Sequence, residues 1–366
     1  MILMNDFRSE PSSLREAMYG AVRRVIDSGQ FVLGDEVASF ESEWSARCKT
    51  SHAIGVGNGM DALEIIFRAL GVGPGDEVIT TPMTAFATVL AILRAGAEPV
   101  LADIEPSSAL LDRDSVLRCL SSRTRALVLV HLYGQLGDMA SWKELCADHG
   151  IYLVEDCAQS HLASRDGKVA GSFGAAGAYS FYPTKNLGGA GDGGMIVTND
   201  GVIAEMALKM RNYGQSRRYS HPVVGLNSRL DELQAAILRV RADFLDEFTS
   251  RRRAIATRYH KEIENVHVDK LAPANELAAH VHHLYVVTTP YRDRLIDYLR
   301  FNGIQALIHF PIPIHLQPPC LHLRRDAHGL SAAEHHADTC LSIPCHPQLS
   351  DDDVSKVIST INRFEV

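Results

Sequence analysis

The chain has 366 residues, 46% hydrophobic and 22% charged, with a formal net charge of −8. That length exceeds what a single hydrophobic core usually serves, so two domains are expected. An acidic chain without a long Lys/Arg block is a poor partner for nucleic acid or an anionic membrane surface, although backbone amides can still bind phosphate locally.

The N-terminus, MILMNDFRSEP, lacks the basic and long apolar regions of a signal peptide. No run reaches the ~18 apolar residues of a membrane span, and a cytoplasmic location is expected. Seven cysteines are scattered without a CxxC pair and read as reduced thiols. His280, His282 and His283 crowd together, as do His335 and His336, but there is no HExxH and no zinc-finger spacing. No metal is expected.

Residues 12–30 open with serine and carry Leu14, Met18, Val22 and Ile26 at helical spacing, with Gly29 as the stop. From about 50 to 200 the pattern alternates. HAIGV reads as a strand, GNG as a turn and MDALEIIFRALG as a helix. DEVITTP is a strand and FATVLAILRAG a helix, and EPVLADI, RALVLVHLYG and IYLVEDCA are further strands with helices between them. These strands are near-continuous apolar runs, as in a mainly parallel sheet covered by helices on both faces. Right-handed crossovers place all the strand C-termini along one edge, where such sheets bind ligands.

Residues 229–264 contain no Gly or Pro and read as one long charged helix linking domains. Beyond it HHLYVVTT is a strand, RDRLIDYLRFNG a helix closed by Gly303, IQALIHF a strand and PIPIHLQPP a loop. Two helix signals and LSIPCHPQL follow. The expected fold class is α/β: a large domain over residues 1–245 with a mainly parallel central sheet, and a smaller α+β domain over 246–366.

Three segments carry chemistry. In SFYPTKNLGGAGDGG, Lys185 lies between a strand and a glycine-rich turn whose backbone can approach a bound group closely. In VEDCAQSH, Asp156 falls at the C-terminal end of the strand IYLV, either facing a ligand or capping the next helix. In GVGNGMDALEIIF, a strand, a Gly-rich turn and a helix N-terminus can hold phosphate through the amides of Gly59 and Met60. The same turn has neither GxxxxGK[ST] nor GxGxxG, which excludes a nucleotide P-loop. Together they match what pyridoxal phosphate needs: N–H donors for its phosphate, a carboxylate that keeps its pyridine nitrogen protonated, and a lysine for its aldehyde.

With TPMTAFAT, DIEP, HLYGQLGDM, RNYGQSRRYSH, GLNSRLDELQAAIL and IPCHPQLSDDDV added, the chain resembles the DegT, DnrJ, EryC1 and StrS family of sugar aminotransferases, of the aspartate-aminotransferase fold type, over nearly its whole length. The resemblance implies that Lys185 bonds the cofactor and Asp156 pairs with the pyridine nitrogen. It puts Gln159 beside the ring hydroxyl and Phe86 stacked on the ring. Ser180, Gly59 and Met60 correspond to the phosphate site, and Asn227 to a phosphate contact from a second subunit. Where many relatives read SGT this chain reads GNGM, so a threonine hydroxyl is absent and only the backbone contact carries over.

The resemblance further implies a homodimer with active sites at its interface, nucleotide-linked keto sugars as substrates, L-glutamate as amino donor, and pyridoxamine phosphate as the other form of the cofactor. GNGMDAL favours a dTDP-linked 3-oxo-6-deoxyhexose, with 4-oxo and UDP-linked 3-oxo sugars as alternatives. A sugar dehydratase of this family has histidine where Lys185 stands. A purely regulatory protein needs no proton shuttle such as Lys185 with Asp156 and Gln159. Tyr182, His309 and His315 are candidates for touching the sugar.

Overall fold

The computed structural model describes all residues, 1–366. In chain order the elements are α1 (Ser12–Ser28), α2 (Asp35–Cys48), β1 (His52–Val56), α3 (Gly59–Ala69), β2 (Glu77–Thr80), α4 (Phe86–Ala95), β3 (Glu98–Leu101), α5 (Arg113–Cys119), β4 (Thr124–Val130), α6 (Met139–Asp148) and β5 (Tyr152–Asp156). Two short strands, β6 (Ser164–Arg165) and β7 (Lys168–Val169), form a hairpin before β8 (Ala176–Ser180), β9 (Gly194–Thr198) and α7 (Gly201–Met210). The remainder comprises α8 (Glu232–Ala242), α9 (Leu245–Glu262), β10 (Asp269–Lys270), β11 (Tyr285–Thr288), α10 (Arg292–Phe301), β12 (Arg324–Arg325), α11 (Ser331–Thr339), β13 (Cys340–Ile343) and α12 (Asp351–Asn362). No helix is long and apolar enough to cross a membrane.

The large sheet runs in the order β1-β9-β8-β5-β4-β2-β3-β12. Pairing is parallel from β8 to β12, and β9 alone runs against both its neighbours. Along β4 the side chains divide by parity: Ala126, Val128 and Val130 enter one core cluster, and Leu127 and Leu129 enter the other. Since alternate residues of a strand point to opposite faces, the sheet is covered on both sides. This is why its strands read as continuous apolar runs. A three-stranded antiparallel sheet, β10-β11-β13, packs with α9, α10 and α12 around a third core that, apart from Ile2, begins at Ile255.

Three local expectations are corrected. The helix over 12–30 is α1, but its N-cap is Pro11 with no side-chain cap; Gly29 does stop it, at φ +69°. The single helix over 229–264 is two, broken at Asp243 and Phe244. Ala235, Leu238 and Ala242 pack under the large sheet while Ile255, Ala256 and Tyr259 pack in the third core, so the chain turns between two cores. IQALIHF is not a strand: its only ladder contacts are two isolated bridges, Ile304 with Ile2 and Leu307 with Ser342.

Candidate active site

Because β9 is antiparallel to β1 and β8, its first residue lies at the edge where those strands end. Val56, Gly194 and Ser180 stand side by side there, and Asp156 pairs with Ala178 one strand further along. The fold thus brings three of the sequence segments to one sheet edge.

The turn after β1 is held by Asn58, whose Oδ1 accepts from the Asp61 amide at 2.8 Å and caps α3. Gly59 and Met60 open that helix, so their amides have no intrahelical carbonyl and stand at the positive end of its dipole. Gly59 packs directly on Ser180: a Cβ there would lie 2.8 Å from the serine Cβ. The Gly57 amide donates to the buried Ser228 Oγ at 3.0 Å. Asn227, beside Ser228, is exposed on a loop paired with Asn212.

Asp156 is buried at the end of β5. Its Oδ2 accepts from Thr88 Oγ1 at 2.8 Å, and its Oδ1 accepts from the Ala158 amide at 3.1 Å. Thr88 shares a second bond with Thr84, also 2.8 Å. Phe86, 37% exposed, opens α4, so one helix start both presents this ring and orients the acid. Gln159 is buried, and its Oε1 accepts from the Tyr133 amide at 2.6 Å.

Lys185 follows β8 in a tight turn, with its amide on Tyr182 O at 2.9 Å. Gly188 closes that turn where a Cβ would meet Pro183 O at 2.2 Å, a contact only glycine permits. The lysine is half-buried. Burial lowers its ammonium pKa, and the negative charge of Asp156 partly opposes the shift.

His309 is half-buried, with Nδ1 3.0 Å from Ser342 Oγ and its carbonyl accepting from Tyr133 Oη at 2.6 Å. Its imidazole is pushed down by burial first and then by the charge of Lys185. Tyr182 is exposed. His315 is buried, with Nε2 3.0 Å from Glu334 Oε1. A buried trio, His131, Glu155 and Cys157, lies near the same edge, but the Glu155 oxygens already bind the amides of Gly171, Phe173 and Gly174 and the His131 ring. That carboxylate ties a loop down.

Thr88, Tyr133 and Ser228 orient the site and were not singled out in the sequence. Thr84 and Thr88 stand four residues apart inside TPMTAFAT, which is a readable signal. Tyr133 lies in HLYGQLGDM, but nothing local announces that its amide meets Gln159.

Residues 12–362 match the profile of the DegT/DnrJ/EryC1/StrS aminotransferase family. The chain is 41% identical over 363 residues to a pleiotropic regulatory protein of Geobacillus stearothermophilus, covering 99% of this chain and 98% of that one. It is 41% identical over 359 residues to the dTDP-3-amino-3,4,6-trideoxy-alpha-D-glucose transaminase of Streptomyces venezuelae, covering 98% of this chain and 95% of that one. Among solved structures, DesV of S. venezuelae in complex with a ketimine intermediate superposes with a TM-score of 0.94 at 41% identity, over 99% of this chain and 97% of that one.

Proposed function

The chain belongs to the DegT/DnrJ/EryC1/StrS aminotransferase family, and from that premise we propose that it moves the amino group of L-glutamate to C3 of a dTDP-linked 3-oxo-6-deoxyhexose. Membership makes it a pyridoxal-phosphate-dependent sugar aminotransferase. The observation that carries the sugar assignment is 41% identity, across almost the whole chain, to a transaminase named for a dTDP-linked 3-amino deoxysugar. GNGMDAL at residues 57–63 supports the same choice.

The residues at the sheet edge fit the cofactor. A Cβ on Gly59 would fill the space against Ser180, which leaves a cradle beside two free amides at a helix N-terminus. An acid fixed by two donors and a lysine with a depressed pKa complete the set. When bound, pyridoxal phosphate supplies an electron sink for the negative charge that develops at the donor Cα.

In this reading the amides of Gly59 and Met60 and the Ser180 hydroxyl hold the phosphate, with Asn227 reaching across from a second subunit. Asp156, held by Thr88 and the Ala158 amide, would keep the ring nitrogen protonated. Phe86 would stack on the ring, and Gln159, oriented by the Tyr133 amide, would hold its hydroxyl. Lys185 is the residue that would hold the aldehyde, and its Nζ would take and return the proton at the donor Cα. Its lowered pKa makes the neutral amine more available than on an exposed lysine. Tyr182 and His309 would border the sugar, and His315 is held by its bond to Glu334.

Purified enzyme is offered dTDP-3-oxo and dTDP-4-oxo deoxyhexoses in separate reactions with glutamate, and 2-oxoglutarate is followed. Faster turnover of the 3-oxo sugar is expected. Faster turnover of the 4-oxo sugar would overturn the C3 assignment alone. No 2-oxoglutarate with any keto sugar would overturn the donor and substrate together.

A further inference from the structure

Arg252, on α9, is 6% exposed and forms no ion pair with any carboxylate. Its only acceptors are main-chain carbonyls, all taken by Nη1: Cys345 O at 2.7 Å, and His282 O and His283 O at 3.4 Å. Nε and Nη2 bond to nothing in the chain, yet neither is sealed among the buried atoms without a partner. Arg252 lines a cavity of about 110 Å³ together with Asn5, Thr184, His283, Leu307 and His309. A smaller adjoining recess shares Asn5, Thr184 and Arg252 and is lined by Lys185 as well.

A buried guanidinium stays protonated, and leaving the donors on Nε and Nη2 unused is costly unless an anion completes them. The acids lining the recess are already engaged. Glu10 pairs with Arg241 at 2.7 Å, and Asp6 accepts from Ser9 Oγ at 2.7 Å and the Arg8 amide at 3.1 Å. The imidazole of His283 is depressed by burial and then by Lys185 and Arg252, so it lies within reach of both charges. Lys185 and Arg252 thus line one small recess together. A planar fork of N–H donors matches a carboxylate.

We propose that Arg252, with Asn5 and Thr184, forms the subsite for the distal carboxylate of a dicarboxylic amino donor. The inference rests on the glutamate-dependent aminotransferase reading and deepens it. The donor's amine must reach Lys185, so its α-carboxylate stays near that end and its side-chain carboxylate extends toward Arg252. A monocarboxylic donor has nothing to offer this guanidinium, so the subsite selects glutamate over alanine.

The test uses holoenzyme and two variants, Arg252→Gln and Asn5→Asp. The second leaves the arginine and its carbonyl bonds intact and places a competing carboxylate in the cavity. Loss of a charged hydrogen-bonded pair corresponds to about a tenfold to hundredfold loss of affinity. KM for glutamate should rise by about that factor in both variants, while KM for the keto sugar changes by less than about twofold. Calorimetry with glutarate, a probe that undergoes no turnover, should show binding to wild type and none to either variant. Wild-type glutarate binding and glutamate KM in both variants would overturn the subsite alone. Wild-type enzyme that forms no 2-oxoglutarate from glutamate would overturn the donor reading beneath it.

Discussion

Each oxygen of the Asp156 carboxylate has its own donor, Thr88 Oγ1 on one side and the Ala158 amide on the other. A hydrogen bond to a charged group contributes about 1.5–3 kcal/mol. Thr88→Val keeps the side-chain shape and removes the donor, so the half-reaction with glutamate should slow about tenfold or more in stopped-flow absorbance. An unchanged rate would mean that Thr88 does not hold the acid in its working position. The charge of Asp156 also acts on Lys185, whose pKa is lowered by burial and raised back in part by the acid. In cofactor-free protein, the rate at which Lys185 is acylated by acetic anhydride should therefore reach its midpoint below the ordinary lysine value of 10.5. Asp156→Asn removes the opposing charge, so that midpoint should move lower still. A rise on substitution would contradict the sign of the coupling.

At the scale of elements, what was legible in the sequence was local. Gly59 at a helix start, Asp156 at a strand end and Lys185 before a glycine turn are each visible within about a dozen residues. The mainly parallel sheet follows from its continuous apolar runs. What was hidden depended on packing across the chain. Thr88 reaches Asp156 over a separation of 68 residues, and Tyr133 meets His309 over 176. The break between α8 and α9 has no glycine or proline to announce it, because the turn answers to two separate cores. IQALIHF has strand composition, yet it makes only two isolated bridges, at Ile304 and Leu307. The glycine turn gives a sharp test. In Gly59→Ala the new methyl must displace Ser180, and overpacking of this kind costs about 1–3 kcal/mol. The variant should melt lower and release cofactor more readily on dialysis. Retention equal to wild type would show that the close approach to Ser180 is not needed.

For the molecule as a whole, we place the boundary between the large and small domains at about residue 245, where α9 begins. The C-terminal segment does return to the large sheet as β12. Phe31, Val32 and Leu33 are exposed, and Val32 is paired with Asp231 close to the Asn227 loop; Tyr213, Tyr219 and Val224, exposed on the same stretch of chain as Asn227, add to the uncovered apolar surface. Apolar surface of that kind suits a self-complementary dimer in which each Asn227 serves the other subunit. Sedimentation should give a particle of twice the 40.2 kDa chain mass, and Asn227→Ala should weaken cofactor retention without changing that mass. A fully active monomer would refute the shared site.

We propose that Lys185 is the residue through which this aminotransferase carries its cofactor. Enzyme loaded with pyridoxal phosphate is reduced with borohydride, digested and mapped by mass spectrometry. The account predicts one modified peptide, carrying the label on Lys185 within SFYPTKNLGG, and no label in Lys185→Ala. A label on any other lysine, or undiminished labelling of Lys185→Ala, would contradict it.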